Sequence, residues 1–345
     1  MSQSVQGVPT FLRAAGVRRR AARPTAREWA RHGALFLLTA LTSTWAGAMT
    51  SAAAPGAYAG VEMPPPASAF EFVAYAPRYV LLELLGVTSY AFSNPQHLAE
   101  GALFSASLLF ILLAHESGHY VACRLYGVDA TLPFFIPMPP PFLAGTLGAF
   151  IKIKSSIPSR RALFDIGVAG PLAGFAALVP VAAAGLLTAQ PSPVAPSAEG
   201  VVVFHDPPLL RLLAPLLGVE DLAGIAPNPF YFASWIGLLV TSLNLMPVGQ
   251  LDGGHATYAL FGRRVHAAAG RAAFLSMAAL AALGWLWHGS PSGFLYAVLL
   301  FVMLRVRHPQ AEDERDPLGR RRALVALLTL VVFALSFTPF PLTIK

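Results

Sequence analysis

The chain has 345 residues, 55% of them hydrophobic and 12% charged, with a formal net charge of +7. A soluble domain carries about 25% charged residues. That deficit, together with apolar runs near the ~20 residues a bilayer requires, excludes an ordinary soluble domain and implies an all-α polytopic membrane protein. The basic surplus sits in clusters between apolar runs, where it marks topology and not a nucleic-acid surface. The single Cys123 excludes an intrachain disulfide and any zinc site built on several cysteines.

Residues 1–31 hold Arg13, Arg18, Arg19, Arg20, Arg23, Arg27 and Arg31 and read as a disordered basic cytoplasmic tail. The first apolar run, 32–49, is expected to span. Ala46-Gly47-Ala48 also looks like a signal-peptide cleavage site, but the long leader favours an uncleaved helix. Residues 50–97 begin rich in Ala, Pro and Gly and become more apolar over 70–92, where Glu71, Arg78 and Glu83 interrupt them. This second part is expected to lie at the extracytoplasmic interface and not to cross.

The second span, 98–123, contains His115-Glu116-Ser117-Gly118-His119. On a helix His115 and His119 project from one face and can grip one metal ion. Glu116 is placed to take a proton from water held there. Ionisable residues in a span are costly and signal function. Arg124, nine residues after His115, should mark the membrane edge; at about 1.5 Å per residue the motif lies ~14 Å deep. Water must then enter through a protein-lined cavity. Cys123 reads as a small buried filler and not a ligand.

Residues 125–160 hold Pro133, Pro137, Pro139, Pro140 and Pro141, too many for a helix. Phe150, Lys152 and Lys154 then alternate with Ile151 and Ile153 as in a strand. A re-entrant loop or short β-hairpin beside the active site is expected. Two roles stay open: a plain loop, or an edge that pairs with an extended substrate. The third span, 162–187, carries Gly167, Gly170 and Gly174 with Pro171, suited to close helix packing. Asp165 is expected to pair with Arg160 or Arg161. A Pro-rich loop over 190–229 should include an interfacial helix near 209–217.

The fourth span starts near Tyr231 and ends in Asn244-Leu245-Met246-Pro247-Val248-Gly249-Gln250-Leu251-Asp252-Gly253-Gly254-His255. Broken helix at membrane depth is tolerated where it lines a cavity or is buried in protein. A break presenting a carboxylate suits a third metal ligand. His255 reads as a helix-start residue exposed on the cytoplasmic side, and His266 and His308 carry no signal. Spans at 272–288, 293–306 and 323–340 bring the expected count to about seven. With a cytoplasmic N-terminus, only Arg78, Arg211 and Lys345 of the 24 basic residues fall on the far side. The organisation is then a tail (1–31), a first helix (32–49), an extracytoplasmic or interfacial segment (50–97), a core (98–271) and C-terminal helices (272–345).

His-Glu-x-x-His within a span, followed by Asn-x-x-Pro-x-x-x-Leu-Asp-Gly at a span end, resembles the site-2 protease family of intramembrane zinc metalloproteases over about 98–271. Phe150-Ile151-Lys152-Ile153-Lys154-Ser155 and Ala169-Gly170-Pro171-Leu172-Ala173-Gly174 look most like the branch of plastid "ethylene-dependent gravitropism-deficient and yellow-green" proteases and their bacterial relatives. The resemblance implies one Zn2+ held by His115, His119 and Asp252. It implies Glu116 as general base and later proton donor, with Asn244 holding the substrate carbonyl or oxyanion. It also implies cleavage of transmembrane segments of membrane-anchored proteins near the cytoplasmic face. The expected partners are a transmembrane protein substrate and the lipid bilayer, with no nucleic acid. The Arg- and Ala-rich style suggests a bacterial cytoplasmic membrane. The competing readings are a prenyl-protein type peptidase, which needs a ligand Glu on a later span that is missing here, and an inactive membrane scaffold or a transporter. Against a transporter, the sequence has no repeats or paired broken helices.

Overall fold

The computed structural model describes residues 21–53, 69–191, 202–289, 292–306, 308, 311–313, 315 and 317–344. Most of the expected arginine tail and the Ala/Pro/Gly-rich stretch after the first helix lie outside these residues. Nine helices run in the order α1 (Ala26–Ala52), α2 (Ala69–Ser93), α3 (Pro95–Leu125), α4 (Arg160–Leu187), α5 (Pro208–Leu216), α6 (Pro229–Asn244), α7 (Asp252–His288), α8 (Ser292–Arg305) and α9 (Gly319–Ser336) among the described residues.

Local sequence sets where these helices start. Thr25 and Glu28 form a reciprocal capping box, so α1 begins at Ala26 and takes Arg27 and Arg31 out of the expected disordered tail. Asn94 caps α3 and Asn228 caps α6, each followed by Pro at the first helical position, and Ser159 caps α4. The largest shift from expectation is α7. Residues 252–271, expected as a break and a basic loop, are helical, interrupted only at Gly262 with φ +79°.

Four helices, α1, α3, α4 and α7, are long and apolar enough to cross a membrane. The expected seven are not reached by that measure. At 16 residues α6 rises ~24 Å, and at 14 residues α8 rises ~21 Å, short of the ~30 Å hydrocarbon core. α9 opens on Arg320, Arg321 and Arg322. α2 packs against the end of α1, where Val87 and Ala91 meet Ala48 and Ala52, and Trp45 Nε1 donates to Thr88 Oγ1 at 3.2 Å. Large apolar side chains such as Leu37, Leu41, Leu275 and Leu286 are exposed, as a lipid-facing belt requires.

α3 and α4 form the centre, with α6 against both, α1 outside α3 and α7 outside α4. One apolar cluster joins Phe104 and Leu108 of α3, Leu178 of α4, Leu210 of α5 and Trp235 of α6. A second joins Cys123, Phe164, Ile166 and Ala259, so Cys123 is a buried filler in that cluster. β1 (Phe134–Pro137) and β2 (Thr146–Phe150) form an antiparallel hairpin, pairing Phe134 with Phe150 and Phe135 with Ala149. It lies along α1, with His32 Nδ1 3.0 Å from the Pro133 carbonyl and Thr42 Oγ1 donating to the Gly145 carbonyl at 2.7 Å. Three short strands and the chain end pair on the far side: β3 (Gln190–Pro191) with β5 (Ile225–Ala226), and β4 (Val202–Phe204) with β6 (Leu342–Ile344).

Asp165 does not pair with Arg160 or Arg161. It accepts from Arg322 Nε and Nη2 at 2.8 and 2.6 Å and from the Tyr126 hydroxyl. Arg160 instead donates to the Ala259 and Leu260 carbonyls, and Arg161 to Pro317. α9 can reach Asp165 from outside α4, which the local sequence around Asp165 does not reveal.

Candidate active site

His115 and His119 lie one turn apart on α3, and Asp252 opens α7. Their donor atoms meet in a nearly equilateral triangle. His115 Nε2 and His119 Nε2 are 3.1 Å apart, and each is 3.3 Å from Asp252 Oδ2. A tetrahedral zinc with ligand bonds of about 2.0–2.2 Å sets donor separations of about 3.3–3.6 Å. The three residues therefore fit that ion, with one coordination position left open. Among the described residues this is the one His/Cys/Asp/Glu group so placed.

Surrounding backbone holds the rings. His119 Nδ1 donates to the Ile166 carbonyl at 2.7 Å. A carbonyl only accepts, so Nδ1 carries the proton and Nε2 keeps its lone pair for a metal. The glycines of α4 press directly on the imidazoles. A β-carbon at Gly170 would overlap the His119 ring, and one at Gly174 would lie 3.0 Å from His115 Cβ. The expectation of close packing at these glycines thus has a specific content: α4 is the wall that fixes both rings.

Asp252 is placed by the turn before it. Leu245 to Leu251 fold back on the first turn of α7 so closely that a β-carbon at Gly253 would strike the Leu245 carbonyl. One at Gly254 would lie 2.6 Å from the Gly249 carbonyl. The two glycines after Asp252 permit that approach, and an acidic residue in the first helical turn suits the helix dipole.

Glu116 is 5% exposed, with Oε1 3.9 Å from His115 Nε2. Asn244 ends α6 with Nδ2 3.5 Å from His115 Nε2. All five expected site residues line one cleft of about 570 Å³, along with Phe150, Ile151 and Ile153.

Sequence reasoning left the role of residues 151–153 open. Thr131 N donates to the Lys152 carbonyl at 2.9 Å and Lys154 N to the Asp129 carbonyl at 2.7 Å, with Ala130 opposite Ile153. Ala130 and Ile153 are therefore a non-hydrogen-bonded pair, and the Ile153 backbone groups face away from 129–131. The edge of 151–153 thus borders the cleft. His255 is not the exposed residue expected. It is half-buried, lines the same cleft, and its Nδ1 is 2.8 Å from His308 Nε2.

The fold and site define an α-helical membrane protein with a His-His-Asp donor set on two of its spans and a carboxylate beside it. The sequence model of peptidase family M50 matches residues 103–284, and the chain belongs to that family, the site-2 protease family. It is 34% identical to the probable zinc metalloprotease EGY1, chloroplastic, of Oryza sativa subsp. japonica over 235 residues, covering 66% of this chain and 39% of the relative. It is 31% identical to the probable zinc metalloprotease EGY2, chloroplastic, of Arabidopsis thaliana over 255 residues, covering 73% and 44%. With EGY1 of Arabidopsis thaliana it shares 30% over 237 residues, covering 67% and 42%. The chain spans about two fifths of the length of these curated relatives. These relatives are chloroplastic, so they give no support to the bacterial cytoplasmic membrane expected from composition.

Proposed function

We propose that the chain is a zinc-dependent intramembrane endopeptidase that cleaves transmembrane segments of membrane-anchored proteins. The observation that supports this reading is the donor triangle of His115, His119 and Asp252, whose 3.1–3.3 Å edges come within about 0.2 Å of those of a tetrahedral zinc shell. In this reading those residues hold the ion, which when bound supplies Lewis acidity and an activated water. Glu116 takes the proton of the attacking water and returns it to the leaving amine. Asn244 donates through its side-chain amide to the scissile carbonyl oxygen as negative charge develops. The 151–153 edge pairs with substrate backbone in extended form. Such pairing requires an unwound segment, because helical amides are already bonded within the helix. Substrates with helix-breaking residues near the cut should be preferred. In this reading the site lies near the cytoplasmic-type, positively charged side of the membrane with the N-terminus on that side, which the clustering of basic segments supports.

Glu116→Gln separates catalysis from structure. The variant should keep zinc and lose turnover on a reconstituted membrane-anchored substrate. Undiminished cleavage would remove Glu116 from the mechanism. Exchanging a substrate's helix-breaking residues for Leu should slow cleavage, and an unchanged rate would reject the unwinding requirement.

A further inference from the structure

A second and larger cleft, of about 960 Å³, lies between α7, over residues 258–275, and α8, and includes none of the three donor residues. Its α7 wall is one helical stripe. Arg263, His266, Gly270 and Phe274 recur at spacings of three or four residues, and Arg271 flanks Gly270. α8 contributes Phe301, Leu304 and Arg305. We propose that this cleft binds an anionic phospholipid through its phosphate.

Three observations point to such a ligand. The polar end carries Arg263, Arg271 and Arg305, and among the described lining residues there is no Asp or Glu. Guanidinium groups match phosphate oxygens in pairs, so this end is built for an anion. Next, His266 is 8% exposed and its buried Nδ1 has no hydrogen-bond partner, although the ring lines the cleft. A buried nitrogen without a partner is destabilising, and a ligand oxygen would relieve it. Third, the cations stand over an apolar floor. Phe274 and Phe301 have ring centroids 5.7 Å apart, and Arg305 Cζ sits 4.4 Å above the Phe301 ring. Gly270 keeps α7 close to Leu304, which puts Arg271 and Arg305 at a common level about one turn outside the phenylalanine pair. Head group and acyl chain have separate places in that order, as they do in the surrounding leaflet. A free phosphate would satisfy the cations and leave the floor unused.

The cleft also touches Gly249 in the turn before Asp252, and His308 at its rim bonds His255 in the other cleft. A lipid here therefore buttresses the turn that carries Asp252.

The test uses the full chain, delipidated in detergent and moved into nanodiscs of phosphatidylcholine alone or with added phosphatidylglycerol. Native mass spectrometry should find one retained phosphatidylglycerol per chain, with a raised unfolding temperature in the mixed discs. Arg271→Ala/Arg305→Ala should weaken retention by about tenfold or more, and Arg271→Lys/Arg305→Lys should keep part of it. Arg320→Ala/Arg321→Ala, at the start of α9 and outside the cleft, should match wild type. Glu116→Gln should also match, which separates this result from the proteolysis reading. Equal retention in wild type and the Arg271/Arg305 alanine variant would overturn the proposal. So would stabilisation by inorganic phosphate in phosphatidylcholine discs equal to that by phosphatidylglycerol, which would make the site one for free phosphate.

Discussion

Gly170→Ala should strip the site of metal and leave the fold intact. The added methyl would occupy the space of the His119 ring. Carbon atoms in contact need about 3.5–4.0 Å between them, so the ring must retreat by more than ~1 Å, while metal–ligand distances tolerate about ±0.2 Å. His119 Nδ1 is tied to the Ile166 carbonyl at 2.7 Å, which opposes a compensating rotation. Changing a residue that merely supports a ligand costs about 10–100-fold in affinity. Displacing the ligand itself should exceed about 100-fold, or ~2.7 kcal/mol. Gly174→Ala is milder, because its β-carbon would lie 3.0 Å from His115 Cβ and 3.2 Å from Nδ1, a conflict of tenths of an ångström. About tenfold is expected there. Gly33→Ala, with nothing within 4 Å, should leave zinc affinity unchanged. The assay is competition with a fluorescent zinc chelator, on variants whose circular dichroism and elution match wild type. Wild-type affinity in Gly170→Ala would refute the steric argument.

Gly253→Ala would drive a β-carbon into the Leu245 carbonyl and displace Asp252; zinc affinity should fall about 10–100-fold, and titration with the same chelator reads it. Arg322→Met leaves the half-buried Asp165 without its two guanidinium bonds. The expected loss is about 1–3 kcal/mol in thermal unfolding, largely recovered in Arg322→Met/Asp165→Leu. Asp206 lies in the loop before α5, where burial pushes its carboxyl above the usual range despite the Tyr231 hydroxyl it accepts from. A folded-state pKa above the unfolded value gives stability that is present at low pH and lost as pH rises through the folded pKa. Asp206→Asn should flatten that part of the pH–stability curve and cost nothing at neutral pH. A curve of unchanged slope would contradict this.

The donor set was legible because metal chemistry needs particular residue types at particular spacings. His115 and His119 announce one helical face, and Asp252 sits in a Pro/Gly break that only a cavity tolerates at depth. The hairpin was legible from its prolines and from the alternation at 150–154, and α5 falls at 208–216 where an interfacial helix was expected. What escaped is what depends on distant chain. Arg322 reaches Asp165 across 157 positions. The glycines of α4 announced close packing but not that the neighbour would be two imidazoles. Polar residues after Asp252 looked like loop, yet α7 continues because Gly262 absorbs the kink in one residue. His266 and His308 looked idle since the side chains they meet, Tyr258 and His255, come against them only in the fold.

The central claim is one zinc site assembled from two distant motifs, and metal content tests it most directly. Zinc would be measured by mass spectrometry of the detergent-purified protein, wild type beside Asp252→Ala. The account predicts one zinc per chain in wild type and its loss or marked loosening in the variant. Well-folded wild type without zinc, or zinc held equally tightly without Asp252, would contradict it.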